Sequence, residues 1–378
     1  MKIVQLVDFY FPSDAMSKLA KLMHSIDLTL DPNSLLVADM ITSNPDVLTK
    51  NDIKVLYMRA NNPFSLNSAL RYFFQLQHKI ESIKLYLKNR KRFDKHIGEK
   101  VDNADLRVWH NPQHFVTWWK VQKNDIIFWH NFTYPYLQDH TYAQVIASEI
   151  PRLKLYNDLN ITWLMHSQFS LNSLRHYGIE PQKYAIIPYS HQYNLPYIEH
   201  SAQRPHLLAY SRYAPHKGYP EIVQLAKENK YALTTFGDNF TTTQYAKEYN
   251  KCKELASSEM RILGLQAEDA MEYIFNQANI YISNSRHEGL GYPIIEAYAH
   301  SLPVIVRGGT AMPELVIEGK TGFVFDDINE VPALIEKIMQ NYKEMSYNAW
   351  KHSQNFTYEK FKERYLNVLK EYMKEKHK

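Results

Sequence analysis

Residues 285–304 read SRHEGLGYPIIEAYAHSLPV, and two carboxylates, Glu288 and Glu296, stand eight positions apart with two glycines and a proline between them. The run 280–282 is short and β-prone and follows a helical pattern, which predicts a buried parallel strand. Residues 283–291 are then the loop leaving its carboxyl end. Pro293 suits the opening of a helix, where its missing N–H removes no hydrogen bond. Ile294, Ile295 and Tyr298 give that helix an apolar face. Glu288 falls on the loop and Glu296 one turn inside the helix, so both can reach a ligand resting on the helix N-terminus. Free N–H groups and the helix dipole favour a phosphate there. One glutamate can accept from hydroxyls on one side of a diphosphate and the other from hydroxyls beyond it, which describes a nucleotide sugar. A Gly-rich turn before a helix with exposed glutamates is the structural alternative.

A second cluster is SRYAPHKGYPE, residues 211–221. Arg212 and Lys217 flank a loop after a predicted strand, and an Arg fork with a Lys point charge suits a diphosphate and its departure as a leaving group. Its weight comes from lying at the same end of the same sheet as the Glu288 loop. A third cluster is the pair LRVWHN and IIFWHN, which places His110 and His130 one residue past their predicted strands. Two histidines with no third ligand at metal-binding spacing make a weak metal site. A polar contact from His130 to a sugar hydroxyl or phosphate is one alternative, and a structural histidine at a strand end is another. The chain has no Gly-x-Gly-x-x-Gly after its first strand, no Walker loop, no Gly-x-Ser-x-Gly elbow and no Asp-x-Asp.

Positioning these residues requires an α/β framework. At 378 residues the chain suits two domains. Short apolar runs alternate with amphipathic stretches, the signature of parallel sheets covered by helices. Strands are expected at 2–7, 54–58, 106–109, 125–129, 161–165 and 185–187, with a helix over 167–177 closed by Gly178. A polar, aperiodic, proline-containing segment, 191–204, reads as a linker. The alternation then restarts, with strands at 207–210, 232–236, 280–282, 303–306 and 322–325 and helices over 219–229 and 267–277. The expected division is 1–190, linker 191–204, 205–355 and a C-terminal helix 356–378. Two doubly wound, Rossmann-like domains would face each other across a cleft, with ligand sites at the carboxyl ends of their strands.

A hydrophobic content of 45% excludes a disordered chain, and a formal charge of +4 without a nucleic-acid-binding motif gives no reason to expect a nucleic-acid partner. The single cysteine, Cys252, excludes a disulfide framework and a cysteine-based zinc site. No signal peptide is evident, and no run approaches the roughly 20 apolar residues of a spanning helix. These features lead to the expectation of a cytoplasmic protein. Residues 78–100 hold eight Lys or Arg against three acids beside Ile80, Ile83 and Leu87. This basic amphipathic stretch fits either an anionic membrane surface, at the inner face of the cytoplasmic membrane, or a solvated helix packed on its own domain.

The residues from Asn279 to Phe325, including HEGLGYPIIEA and SLPVIVRGGTAMPELVIEGKTGFVF, closely resemble the retaining glycosyltransferases of the GT-B fold, family GT4. The likeness extends through SRYAPHKG, FGDN at 236–239, ILG at 262–264, MHSQFSLNSLRHYG and KYAIIPYS. The resemblance implies that Arg212 and Lys217 bind the donor diphosphate, together with the backbone of Gly289, Leu290 and Gly291. Glu288 would contact the transferred sugar, and Glu296 the ribose hydroxyls. Gly237, Ile262 and Leu263 would line the nucleoside site, and His130 would reach the donor beside the reacting carbon. Where many members carry two glycines after the first strand, this chain has PSDAM. Bacterial cell-surface transferases with an Asp-Ala there and a His-Asn like FWHNFT are nearer to it. Asp14 would then bind an acceptor hydroxyl or cap the following helix, with His110 and Asn131 as further acceptor contacts. Ser211 replaces a usual glycine, and Leu290 a common Phe.

The implied activity is retaining and metal-independent, with no cofactor. A hexose-type sugar would move from a UDP- or GDP-sugar to a glycan or lipid-linked acceptor in bacterial surface polysaccharide or lipopolysaccharide synthesis. A non-catalytic nucleotide-sugar-binding subunit, a phosphorylase and an epimerase are the alternative activities for the same fold.

Overall fold

Apolar runs without a polar face must be covered on both sides, and in this chain they form the inner strands of two parallel sheets. The computed structural model describes residues 1–10, 15–41, 54–55, 95–110, 121–130, 150–151, 153–240 and 243–376. The chain clusters into two compact units, one built around Met1–His130 with Leu155–Leu164 and Pro181–Tyr184, the other around Met165–Glu180 and Ala185–Lys378.

The first sheet contains β1 (Ile3–Tyr10), β2 (Leu35–Ile41), β3 (Lys54–Val55), β4 (Leu106–His110), β5 (Ile126–Trp129), β6 (Thr162–Met165) and β7 (Lys183–Ile186). Its order is β3-β2-β1-β4-β5-β6-β7, so the winding reverses between β1 and β4. The parallel register sets Val7 beside His110 and His110 beside Phe128. Helix α1 (Ala15–Leu30) covers the sheet through Leu19, Ala20, Met23 and Ile26, a stripe at three- and four-residue spacing that is almost fully buried. Asp27 adjoins this stripe and is equally inaccessible. Helix α2 (Lys95–Asp102) is the only described part of the basic stretch 78–100.

Between β6 and β7, Ser167 caps helix α3 (Gln168–His176), and Gly178 follows in the left-handed region (φ +71°). The second sheet comprises β8 (His206–Tyr210), β9 (Ala232–Phe236), β10 (Met260–Ile262), β11 (Ile280–Ser283), β12 (Val304–Arg307) and β13 (Gly322–Phe325). Its order is β10-β9-β8-β11-β12-β13, with the reversal between β8 and β11. Helices α4 (Tyr219–Glu228), α5 (Thr243–Leu255), α6 (Glu268–Gln277), α7 (Tyr292–Ala299), α8 (Val331–Gln340) and α9 (Tyr342–Ser353) accompany it. Helix α10 (Tyr358–Lys376) buries Phe361, Tyr365 and Leu369, one per turn.

Both halves are doubly wound parallel sheets, as the alternation predicts. The segment 191–204 forms no strand but is fastened down: His200 Nε2 meets the His300 carbonyl at 2.7 Å, and Trp350 donates to the Leu195 carbonyl at 3.0 Å. Among the described residues no helix is long and apolar enough to cross a membrane.

Candidate active site

The loops that leave β8 and β11 meet at the point where the second sheet reverses, the place where open α/β sheets bind ligands. After β8 the chain passes Ser211 and Arg212 and forms a short 3-10 turn over Pro215–Lys217. Arg212 is exposed, whereas Lys217 is only 9% exposed. Gly218 then starts α4 in the left-handed conformation. After β11 come Asn284 to Gly291, and Gly291 (φ +100°) turns the chain into α7, with Pro293 in its first turn. The two loops are tied together: the Arg286 N–H donates to the His216 carbonyl at 2.8 Å, and Asn284 Nδ2 donates to the Gly218 carbonyl at 3.3 Å. Ser211, Lys217, Tyr219, Ser283, Asn284 and Glu288 are among the residues lining a small pocket there.

The central contact is an ion pair. Lys217 Nζ donates to Glu288 Oε1, with both side chains largely withdrawn from water. The Glu288 loop is also held through its backbone. Its carbonyl accepts from the Ala311 N–H at 3.3 Å, and within the same compact unit the Gly289 carbonyl accepts from Ser167 Oγ at 2.7 Å and Ser170 Oγ at 3.2 Å. Leu290, with 3% exposure, anchors the loop in the core. Glu296 lies on α7, 4% exposed, and accepts from the Tyr193 hydroxyl at 3.1 Å.

Beside β8, Gly237 follows β9 with φ +149°, and a Cβ there would lie 1.6 Å from the Ser211 carbonyl oxygen, so only glycine permits this approach of the two loops. Ile262 ends β10, and the Leu263 N–H donates to the Thr235 carbonyl at 2.8 Å while its own carbonyl accepts from Tyr213 at 2.8 Å. Arg212, Lys217, Gly237, Ile262, Leu263, Glu288, Gly289, Leu290, Gly291 and Glu296 therefore gather at the carboxyl ends of four neighbouring strands, β10-β9-β8-β11.

His216 lies among these cations. Burial, then the charges of Lys217, His287, Arg212 and Arg286, push its pKa down to about 2. It is a neutral imidazole at working pH, so the positive charge offered to an anion comes from the lysine and the arginines.

In the first unit, His110 ends β4 and is fully buried, and His130 stands one residue past β5 with 3% exposure. His110 Nδ1 and His130 Nε2 are 2.9 Å apart, and His110 Nε2 is 2.8 Å from Gln5 Oε1. Both nitrogens of His110 are thus engaged inside the protein. Asp14 and Asn131 lie outside the described residues. No group of three or more His, Cys, Asp or Glu side chains is placed to hold a metal among the described residues.

Sequence reasoning missed Tyr193, which sits in an aperiodic segment and offers no spacing signal. It also missed Gln5 and Asp27. Here a signal existed, because Gln5 interrupts the apolar run of β1, IVQLV.

Residues 198–360 match the family described as glycosyl transferases group 1. This part of the chain is a glycosyltransferase group 1 domain. It contains every residue of the β8–β11 cluster. The O-antigen chain mannosyltransferase B of Escherichia coli is 33% identical over 88 residues, 23% of this chain and 22% of that protein. The matched stretches span between 21% and 43% of the curated relatives' lengths. Among solved structures, Anabaena HepE in complex with UDP and glucose superposes with a TM-score of 0.70 at 16% identity, covering 98% of this chain and 99% of that one. Sucrose-phosphate synthase from Thermosynechococcus elongatus gives 0.72 at 15% identity, with coverage of 98% and 99%. The group 1 domain and the sheet that precedes it make up the two Rossmann-like domains of the GT-B fold.

Proposed function

We propose that this protein is a retaining, metal-independent glycosyltransferase that moves a hexose-type sugar from a UDP- or GDP-sugar to a glycan or lipid-linked acceptor in bacterial surface polysaccharide or lipopolysaccharide synthesis. The observation that carries the reading is the assembly of Lys217, Glu288 and Glu296 at the switch point of a group 1 domain. The O-antigen mannosyltransferase relative and the neighbour bound to UDP and glucose support the polysaccharide setting and a nucleotide-sugar donor.

In this reading Arg212 and Lys217 hold the diphosphate and neutralise the charge it gains on departure. Glu288 meets the sugar and Glu296 the ribose hydroxyls. The bond from the anomeric carbon to the diphosphate oxygen breaks, the acceptor oxygen bonds that carbon on the same face, and the acceptor proton passes to the departing phosphate. No protein base is required. Lys217 can take over the neutralising role of a metal ion once the diphosphate displaces Glu288 from its ammonium.

Calorimetric titration with UDP, GDP and ADP, with and without EDTA, tests the site. The expected result is micromolar binding of one nucleotide, unaffected by EDTA. Absence of binding by all three would overturn the donor site, and binding abolished by EDTA would overturn metal independence.

A further inference from the structure

The first unit contains a buried line of hydrogen bonds that runs from a carboxylate on α1 to the histidine after β5. Gln5 Nε2 donates to Asp27 Oδ2 at 2.6 Å, Gln5 Oε1 lies 2.8 Å from His110 Nε2, and His110 Nδ1 lies 2.9 Å from His130 Nε2. Gln5, Asp27 and His110 have no measurable exposure, and His130 has 3%. The two imidazole planes are 12° apart with centroids 5.1 Å apart, and Phe128 stacks on His130 at 4.7 Å.

The polarity of this line follows from the chemistry of its first member. The Asp27 oxygen accepts from Gln5 Nε2, so the amide of Gln5 turns its NH2 towards Asp27. Its carbonyl oxygen then faces His110, which must present Nε2–H. A neutral imidazole carries one N–H, so His110 Nδ1 bears a lone pair and accepts from His130. His130 is thereby obliged to carry its proton on Nε2 and its lone pair on Nδ1.

We propose that Asp27, Gln5 and His110 are positioning residues that fix His130 as the Nε2–H tautomer and lock its ring. The consequence for a substrate is directional. Any group that meets Nδ1 of neutral His130 must donate to it, as a sugar hydroxyl can, and the ring has no proton there to give to a phosphate oxygen. This deepens, and for its kinetic part rests on, the glycosyltransferase reading; the tautomer itself does not depend on it. The relay also explains why a polar residue stands in the middle of β1. The Gln5 amide can accept on one side and donate on the other, which no apolar side chain could do.

The test is nitrogen-15 NMR of the histidine rings in the full chain, with His130 assigned by His130→Gln, alongside Asp27→Asn. In the wild type, His130 is expected as a single Nε2–H tautomer. The carboxamide introduced by Asp27→Asn can face Gln5 with either its oxygen or its NH2. That substitution is therefore expected to release the polarity and give His130 a mixture of tautomers. Transfer should then lose about tenfold in kcat, the worth of one hydrogen bond, with the nucleotide-sugar KM unchanged. A wild-type His130 carrying its proton on Nδ1 would overturn the relay even if the variant did not fold, as would a folded variant with an unaltered tautomer. The predicted tautomer without transfer activity would sustain the relay and sink only the enzymatic reading.

Discussion

Lys217 and Glu288 neutralise each other across the candidate site, and replacing either should have opposite effects on nucleotide binding. In the proposed reading, removing the lysine deletes a charge-assisted contact to the diphosphate, worth about 1.5–3 kcal/mol. Lys217→Ala should therefore weaken the nucleotide diphosphate about 10- to 100-fold. Removing the carboxylate releases the ammonium from its partner. Glu288→Ala should bind the same nucleotide as well as wild type or better, yet lose transfer at least about 100-fold, the usual consequence of deleting one electrostatic contact to a transition state. Titration and initial rates on both variants check the pair, and full turnover in Glu288→Ala would remove this carboxylate from the reaction. His216 should contribute no titration to nucleotide affinity between about pH 5 and 8, because its pKa has been driven to about 2.

At the scale of elements, the site depends on loops that approach one another through glycine. A methyl group on Gly237 would overlap the Ser211 carbonyl, whereas one on Gly319 (φ +72°) would meet nothing within 4 Å. Gly237→Ala should lower Tm by several degrees and abolish micromolar nucleotide binding, and Gly319→Ala should show only the small cost of a strained φ, about 1 kcal/mol. Thermal melts of the two variants decide whether close approach or conformation matters more. The same contrast explains what was legible in the sequence. The strands Ala232–Phe236 and Gly322–Phe325 were readable to the residue, because an apolar run bounded by glycine or a charge leaves little choice. The approach of the Glu288 loop to the Lys217 loop followed from strand ends and chain order alone. Helix α5 was not readable, since TQYAKEYNKCKEL buries only Cys252 and shows a weak apolar stripe. Nor was β2, whose LLVADMI carries an acid within an apolar run. Tyr193 and the Asp27–Gln5–His110 line escaped because their partners are far apart in sequence or sit on segments without periodicity. Only tertiary packing brings them together.

At the scale of the whole molecule, histidines held neutral by burial among the described residues should make stability fall on acidification. Burial lowers the pKa of His166 to about 3 and of His300 to about 4, beside about 2 for His216. In the unfolded chain these rings protonate near about pH 6.5. The unfolded state therefore binds more protons than the folded state below that pH, and stability rises with pH through this range. Each ring contributes a loss of up to about 1.4 kcal/mol per pH unit on acidification between its unfolded and folded values. Calorimetric Tm should be flat above about pH 7 and fall steeply from about pH 6.5 towards 4. A Tm independent of pH over that interval would mean that these rings are not held neutral.

The ion pair between Lys217 and Glu288 has one further consequence, for selectivity among anions in the cell. The carboxylate is tethered beside the ammonium and competes with every dissolved anion at the high effective concentration of an intramolecular ligand. Free phosphate or sulfate, which offers a single point of attachment, must displace it without compensation. A ligand that also reaches Glu296 through ribose hydroxyls gains contacts the simple ions lack. If Lys217 holds the diphosphate as proposed, the domain carries its own competitive inhibitor, built into the chain, and a crowded anionic solution should have little purchase on it.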